Sequence, residues 1–223
     1  MTTPAAAGDP LVAGLAALEI SHLSDALDRL GIAGQCAGIR PLDRQFRLAG
    51  RAFTIRYVPV GVSRGSVGDY IDDLEPGQIP VLDNSGRLDA TVWGDLLTVT
   101  AHRRGLPGTV IDGICRDTER SLEVGYPIFS RGHWMRTGKD RVQAEAYQVP
   151  VSIGGVRIEP GDILVGGADG LVAVPASRAA EVLDAAAQIA GSEERIRAAL
   201  LAGGRLDDAR TAVGYHDLQH RAP

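Results

Sequence analysis

The spacing of apolar residues divides the chain into a helical start, an alternating middle and a helical end. Leu15, Leu18, Leu23, Ala26, Leu27 and Leu30 recur at intervals of three and four, which predicts a helix over 11–30 closed by Gly31, with a restart at Ser24-Asp25. The β-branched and aromatic run from Leu48 to Val58 predicts a strand, and a short helix is expected around Asp69 to Leu74. Ile79 to Asp83 reads as a second strand. Gly94 to about Arg104 reads as a helix with Asp95 in its first turn, where a carboxylate complements the helix dipole. Thr109 to Ile111 is then a short strand, Thr118 to Gly125 a short helix and Tyr126 to Ser130 another strand. This strand, helix, strand order fits right-handed crossovers and parallel pairing.

Beyond Gly132 the pattern changes to hairpins. Val149–Ile153 and Val156–Ile158 flank Gly154-Gly155, and Ile163–Val165 and Leu171–Val174 flank Ala168-Asp169-Gly170. From Ser177 the chain is helical again, with Val182, Leu183, Ala186, Ile189 and Ala190 on one stripe, an interruption expected at Gly191-Ser192, and Gly203-Gly204 as the stop. Residues 1–10 read as a disordered lead, 11–204 as a single domain, and 205–223 as a polar tail without a clear element.

Composition narrows the function. The 223 residues are 44% apolar and 23% charged, enough for one sizeable core, and neither a secretory leader nor a membrane span is expected from the pattern. A cytoplasmic protein is the expectation. A net charge of -5 without a basic stripe argues against nucleic acid and for a small-molecule enzyme or a protein partner. Cys36 and Cys115 lie far apart, so neither a disulfide framework nor a zinc site is indicated, and Cys115 reads as a small buried residue at a strand end. The five histidines, His22, His102, His133, His216 and His220, show no metal-ligand spacing.

The candidate chemistry lies in Asp95 and, separated from it by twenty residues, the pair Arg116-Asp117. The free amides of Gly94, Asp95, Leu96 and Leu97 at a helix start suit a carboxylate or phosphate. Arg116-Asp117 follows a strand at the carboxyl edge of a parallel sheet, where α/β folds place ligands. An Asp there can hold Mg²⁺ or Mn²⁺, which keep most of their waters, and the Arg offers a planar fork to a carboxylate or enolate oxygen. Asp162 and Asp169 are explained by turn chemistry. The glycines from Gly166 to Gly170 lead into a strand, which rules out a dinucleotide loop. Glu193 continues the apolar stripe of the last helix, a costly place for a carboxylate unless a polar pocket or another subunit meets it.

Gly94 to Leu97, Gly105 to Gly113, Arg116-Asp117 and Gly125 to Phe129 together resemble the RraA-like family, which includes class II 4-hydroxy-4-methyl-2-oxoglutarate aldolases. Ser24 to Leu27, Gly50 to Thr54, Pro160 to Asp162 and Asp169 to Pro175 extend the likeness over most of residues 20–205. It implies an α/β/α sandwich resembling the phosphohistidine swivelling domain, with a mixed parallel and antiparallel sheet. It also implies a homotrimer or homohexamer with sites between subunits.

Carried over by motif, Asp117 would bind the divalent metal, Arg116 the pyruvyl part of a small 2-oxo acid, and the amides of Gly94 to Leu97 its carboxylate. Asp95 would orient the waters around the ion. A glutamate from the carboxy-terminal region of an adjacent subunit matches Glu193, with Glu194 as the alternate. Family members often carry an Asp where this chain has Gly167. The implied activity is metal-dependent retro-aldol cleavage of a 4-hydroxy-2-oxo acid to pyruvate, or decarboxylation of oxaloacetate. The other reading is a non-catalytic regulator binding a protein partner, or a different enolate reaction on the same scaffold. Lys139, the only lysine, lies outside the motif, in keeping with a route that needs no Schiff base.

Overall fold

The computed structural model describes residues 8–62 and 65–215. The start of the expected lead, the end of the polar tail, and with it His216 and His220, lie outside the described residues. Among the described residues ten strands form: β1 (Arg40–Pro41), β2 (Leu48–Pro59), β3 (Gln78–Asp83), β4 (Thr109–Cys115), β5 (Ile128–His133), β6 (Val142–Tyr147), β7 (Val151–Ile153), β8 (Val156–Ile158), β9 (Ile163–Gly167) and β10 (Gly170–Val174). The helices are α1 (Pro10–Ala16), α2 (Ile20–Arg29), α3 (Asp95–Arg103), α4 (Thr118–Val124), α5 (Ala179–Leu201) and α6 (Leu206–Ala212).

Eight strands make one mixed sheet in the order β1, β5, β4, β3, β2, β9, β10, with β6 also on β2. The pairs β2–β3, β3–β4 and β4–β5 are parallel, as the crossovers required, and β1, β6, β9 and β10 join antiparallel. The long β2 holds the sheet together because it changes partner along its length. Its first residues, Leu48 to Arg51, pair with β9, and its last, from Ile55 to Pro59, pair with β6.

Period-two alternation sorts the core by face. Ile79, Val81, Val110, Phe129, Leu164, Leu171 and Ala173 point into one cluster, which the β7–β8 hairpin closes. On the other face two helical groups cover the sheet. Helices α1, α2 and α5 pack on Val165, Val172 and Val174, and α3 with the 3-10 turn at Asp69–Asp73 packs on Ile55, Leu82 and Ile111. The result is the expected mixed-sheet α/β architecture.

Several elements differ from the sequence pattern. The helix expected over 11–30 is broken at residues 17–19 into α1 and α2, and Asp9 caps α1 through its Oδ1 to the amides of Leu11 and Val12. Asp9 also pairs with Arg51 of β2 at 2.7 Å, which fixes α1 on the sheet. The strand expected to stop at Ile111 runs on to Cys115, through a register shift between Ile111 and Ile114. Helix α5 continues through Gly191-Ser192 without a break, because Ser192 is buried beneath it and the backbone bonds go on. Strand β6 and helix α6 were not anticipated. At Gly167 an added Cβ would come within 2.9 Å of Ile20 Cγ1, so a larger residue there would require the Ile20 side chain to shift.

Two buried carboxylates tie the hairpins down. Asp162 accepts the amides of Glu159 and Ala176. Asp112, buried on β4, accepts the amide of Gly154 at 2.8 Å and pairs with Arg131 Nε. Removing one partner of a buried pair leaves the rest uncompensated. Asp112→Ala is therefore expected to destabilise the fold by about 3 kcal/mol, read as a lower midpoint in urea unfolding with unchanged slope.

Candidate active site

Trp93 sets the position of everything around the Asp95 and Arg116-Asp117 motif. Its indole is buried, stacks on Tyr126 with centroids 6.2 Å apart and planes at 4°, and donates through Nε1 to Thr98 Oγ1 at 2.9 Å. Thr98 Oγ1 in turn donates to the Gly94 carbonyl at 3.1 Å, closing the first turn of α3. The Trp93 carbonyl accepts the Arg116 amide at 2.9 Å, and the Cys115 carbonyl accepts the Trp134 amide at 2.9 Å. The segment before α3, the end of β4 and the segment after β5 therefore meet at one place.

The chain turns from β4 into α4 at Asp117, whose φ of 55° is left-handed. Asp tolerates this conformation better than most residues, yet it still costs free energy. The turn aims the Asp117 carboxylate back at α3. Oδ2 accepts the Asp95 amide at 3.2 Å and lies 3.3 Å from Arg116 Nε. The bare Gly94 lets Asp117 sit this close, since a Cβ on it would lie 2.7 Å from Asp117 Oδ2. One of the four amides expected to be free for a ligand is thus taken by Asp117 itself.

These groups open onto a cleft of about 730 Å³ lined by Asp95, Arg116, Asp117, Thr118, Glu119, Arg120, Glu123, His133, Trp134 and Met135. The structure brings Asp95, Arg116 and Asp117 together on its wall, with Gly94 packed behind Asp117. Leu97 is half-buried and packs with the α3 core cluster, while Leu96 is exposed. Glu193 does not line this cleft in its own chain. It accepts or shares a hydrogen bond with His22 Nε2 at 3.1 Å and accepts one from the Tyr215 hydroxyl at 3.3 Å. Glu194 pairs with Arg197 on the exposed side of α5.

Glu119, Arg120 and Glu123 on α4, and Trp134 and Met135 after β5, were missed as cleft residues. The helical spacing of Glu119 and Glu123 was the available signal, because residues four apart share a face. Cys115 is buried behind the motif, and burial raises its thiol to about 11, so it stays protonated and unreactive.

The donor set fits one kind of metal site. Among the described residues no group of three His, Cys, Asp or Glu could cage an ion. Asp117 offers a single carboxylate at an open cleft, and both its contacts fall on Oδ2, leaving Oδ1 without a hydrogen-bond partner among the described residues. That suits Mg²⁺ or Mn²⁺, which accept one carboxylate and retain waters.

Comparison with known proteins bears on this geometry. The family model RraA-like, Aldolase/RraA, matches residues 20–173. Protein DlpA of Legionella pneumophila is 41% identical over 198 residues, covering 87% of this chain but 32% of that protein, so the chain spans about a third of its length. A protein of Halalkalibacterium halodurans named "Putative 4-hydroxy-4-methyl-2-oxoglutarate aldolase" is 33% identical over 77% of this chain and 80% of its own. The crystal structure of an uncharacterised protein from Pseudomonas syringae pv. tomato superposes with a TM-score of 0.84 at 42% identity, covering 94% of this chain and 100% of that one.

The seating of Asp117 is open to test. Gly94→Ala should push its carboxylate off the Asp95 amide, and a lost hydrogen bond of about 1.4 kcal/mol corresponds to roughly tenfold faster local exchange. Amide hydrogen exchange at Asp95 measures it, with exchange in the β4 core unchanged.

Proposed function

The chain belongs to the Aldolase/RraA family, and on that premise we propose that it is a divalent-metal-dependent lyase that cleaves a 4-hydroxy-2-oxo acid to pyruvate, with oxaloacetate decarboxylation open to the same site. The observation that carries this reading is the meeting of the Arg116 guanidinium, the Asp117 carboxylate and the amino end of α3 on one cleft wall. A 2-oxo acid presents a carboxylate beside a carbonyl, and these groups complement both. The amides of Leu96 and Leu97 would receive the carboxylate, since Asp117 holds that of Asp95. Arg116 would hold the carbonyl oxygen and gain strength as that oxygen becomes an enolate. Mg²⁺ or Mn²⁺ held by Asp117 would supply Lewis-acid stabilisation of the same charge.

In the retro-aldol direction the C4 hydroxyl gives up its proton, the C3–C4 bond breaks, and its electron pair passes into the pyruvate enolate. A proton then returns to C3, so no other reactant is consumed. Asp95, exposed at the cleft edge, would take the hydroxyl proton through a water. In oxaloacetate the same bond breaks with loss of carbon dioxide and the same enolate forms. Glu193, held by His22 and Tyr215 of its own chain, would complete the site from a second copy in a trimer or hexamer.

A coupled pyruvate-release assay tests the reading. Chelation should abolish turnover and Mg²⁺ or Mn²⁺ restore it, Asp117→Ala should be inactive, and Arg116→Lys should lose about 10²-fold in kcat. Absence of turnover with both substrate classes would sink the proposal. The shared site makes a separate demand. Asp117→Ala, inactive alone, and Glu193→Gln, weak alone, should recover activity when mixed and reassembled, with about a quarter of the sites intact at equal mixing.

A further inference from the structure

Glu193 is held within its own chain by two donors, neither of them a lysine or an arginine, and from this arrangement we infer that His22 is a positioning residue that presents the Glu193 carboxylate to the site of a neighbouring copy. The inference rests on the lyase reading above and adds to it a residue far from the Asp95 and Arg116-Asp117 motif in sequence.

Packing of α2 fixes the imidazole. Leu23, Ala26 and Leu27 of α2 are fully buried in one cluster with Val182, Ala186 and Ile189 of α5, and His22 itself is 6% exposed. Its Nε2 lies 3.1 Å from Glu193 Oε2, whereas Nδ1 is buried and has no hydrogen-bond partner among the described residues. Orphaned buried N–H groups are rarer than orphaned acceptors, so the neutral ring carries its proton on Nε2 and donates it to the carboxylate. A histidine kept for the fold alone would leave no buried nitrogen bare.

The other oxygen of Glu193 is held from α6. Oε1 accepts the Tyr215 hydroxyl at 3.3 Å. Burial and the neighbouring Glu193 carboxylate push that hydroxyl above the usual tyrosine value, so it stays a donor, and Arg210 lies over its ring at 5.3 Å. Each carboxylate oxygen thus has one donor. Glu194 next to it pairs with Arg197, yet among the described residues no arginine or lysine pairs with Glu193. Its chain orients this carboxylate and leaves it open to a cation from outside, and the cleft of a neighbouring copy offers one in Arg116. A glutamate left free would have to be ordered at each turnover, and the two donors remove that cost in advance.

Substitution at residue 22 separates positioning from support. His22→Leu removes the donor and keeps the α2–α5 packing apolar, so its urea midpoint should stay near that of the wild type while kcat for pyruvate release falls about tenfold at unchanged KM. His22→Gln, which returns an N–H donor near the place of Nε2, should recover most of the loss. In the Glu193→Gln background His22→Leu should cost nothing further, because the two residues act as one unit. Mixing supplies a readout that a merely structural role would not move. His22→Leu should regain activity with Asp117→Ala, in about a quarter of the sites at equal mixing, and none with Glu193→Gln. If His22→Leu does not assemble, His22→Asn, whose amide falls short of Glu193, takes its place.

An unchanged kcat in His22→Leu, a loss that adds to that of Glu193→Gln, or recovery on mixing those two variants would overturn the inference while the lyase reading stood. Nitrogen NMR that found the ring proton on Nδ1 would overturn it without reference to turnover. If the wild-type chain turns over neither substrate class, the lyase reading falls and takes the inference with it.

Discussion

The site depends on the burial of one indole. Trp93 is pinned by stacking on Tyr126 and by its bond to Thr98, and its own carbonyl holds the Arg116 amide. Two segments separated by twenty residues in sequence are thereby placed in register, one ending in the amino terminus of α3 and the other in Arg116-Asp117. The partner ring is equally fixed, because the Tyr126 hydroxyl shares a hydrogen bond with Thr109 and its carbonyl accepts Ser121 of α4. Helix α4, strand β4 and helix α3 are joined through these two rings. A polar constellation at the sheet's carboxyl edge keeps its geometry because apolar packing behind it leaves no alternative.

The parts legible in the sequence were those with local causes. The start of α3 could be read from Gly94 and Asp95, and the parallel strands from their near-continuous apolar runs, since a strand covered on both faces has no polar side to show. Elements with long-range causes were hidden. Strand β6 exists because the second half of β2 has a free edge once β9 has left it, and its polar residues, with only Val142 fully buried, carry no strong strand signal. The break between α1 and α2 likewise follows from where Asp9 and Arg51 fix the first helix, not from any breaker at residues 17–19.

The candidate site was legible in the same uneven way. Asp95, Arg116 and Asp117 could be picked out as a pattern and do share one wall. That Asp117 spends one oxygen on the Asp95 amide could not be foreseen, because it follows from a left-handed residue at the strand's end. Trp134 and Met135 were invisible for another reason. They reach the cleft only because β4 runs on past Ile111 to Cys115, whose carbonyl then holds the segment after β5.

Carboxylates in this chain separate by how many of their oxygens the fold consumes. Asp112 and Asp162 are buried with both oxygens bound, to Gly154 and Arg131 in one case and to Glu159 and Ala176 in the other. A buried carboxylate left half satisfied would cost more than the fold can spare, so these two have nothing left for a ligand. Asp117 is different: it is partly exposed, and Oδ2 alone takes both its contacts. In sequence Asp112 and Asp117 look alike, each an Asp beside a glycine or an arginine after an apolar run, whereas Asp162 already reads as a turn residue. For Asp112 and Asp117 the accounting of oxygens tells the structural carboxylate from the one available for chemistry, and that accounting requires the fold.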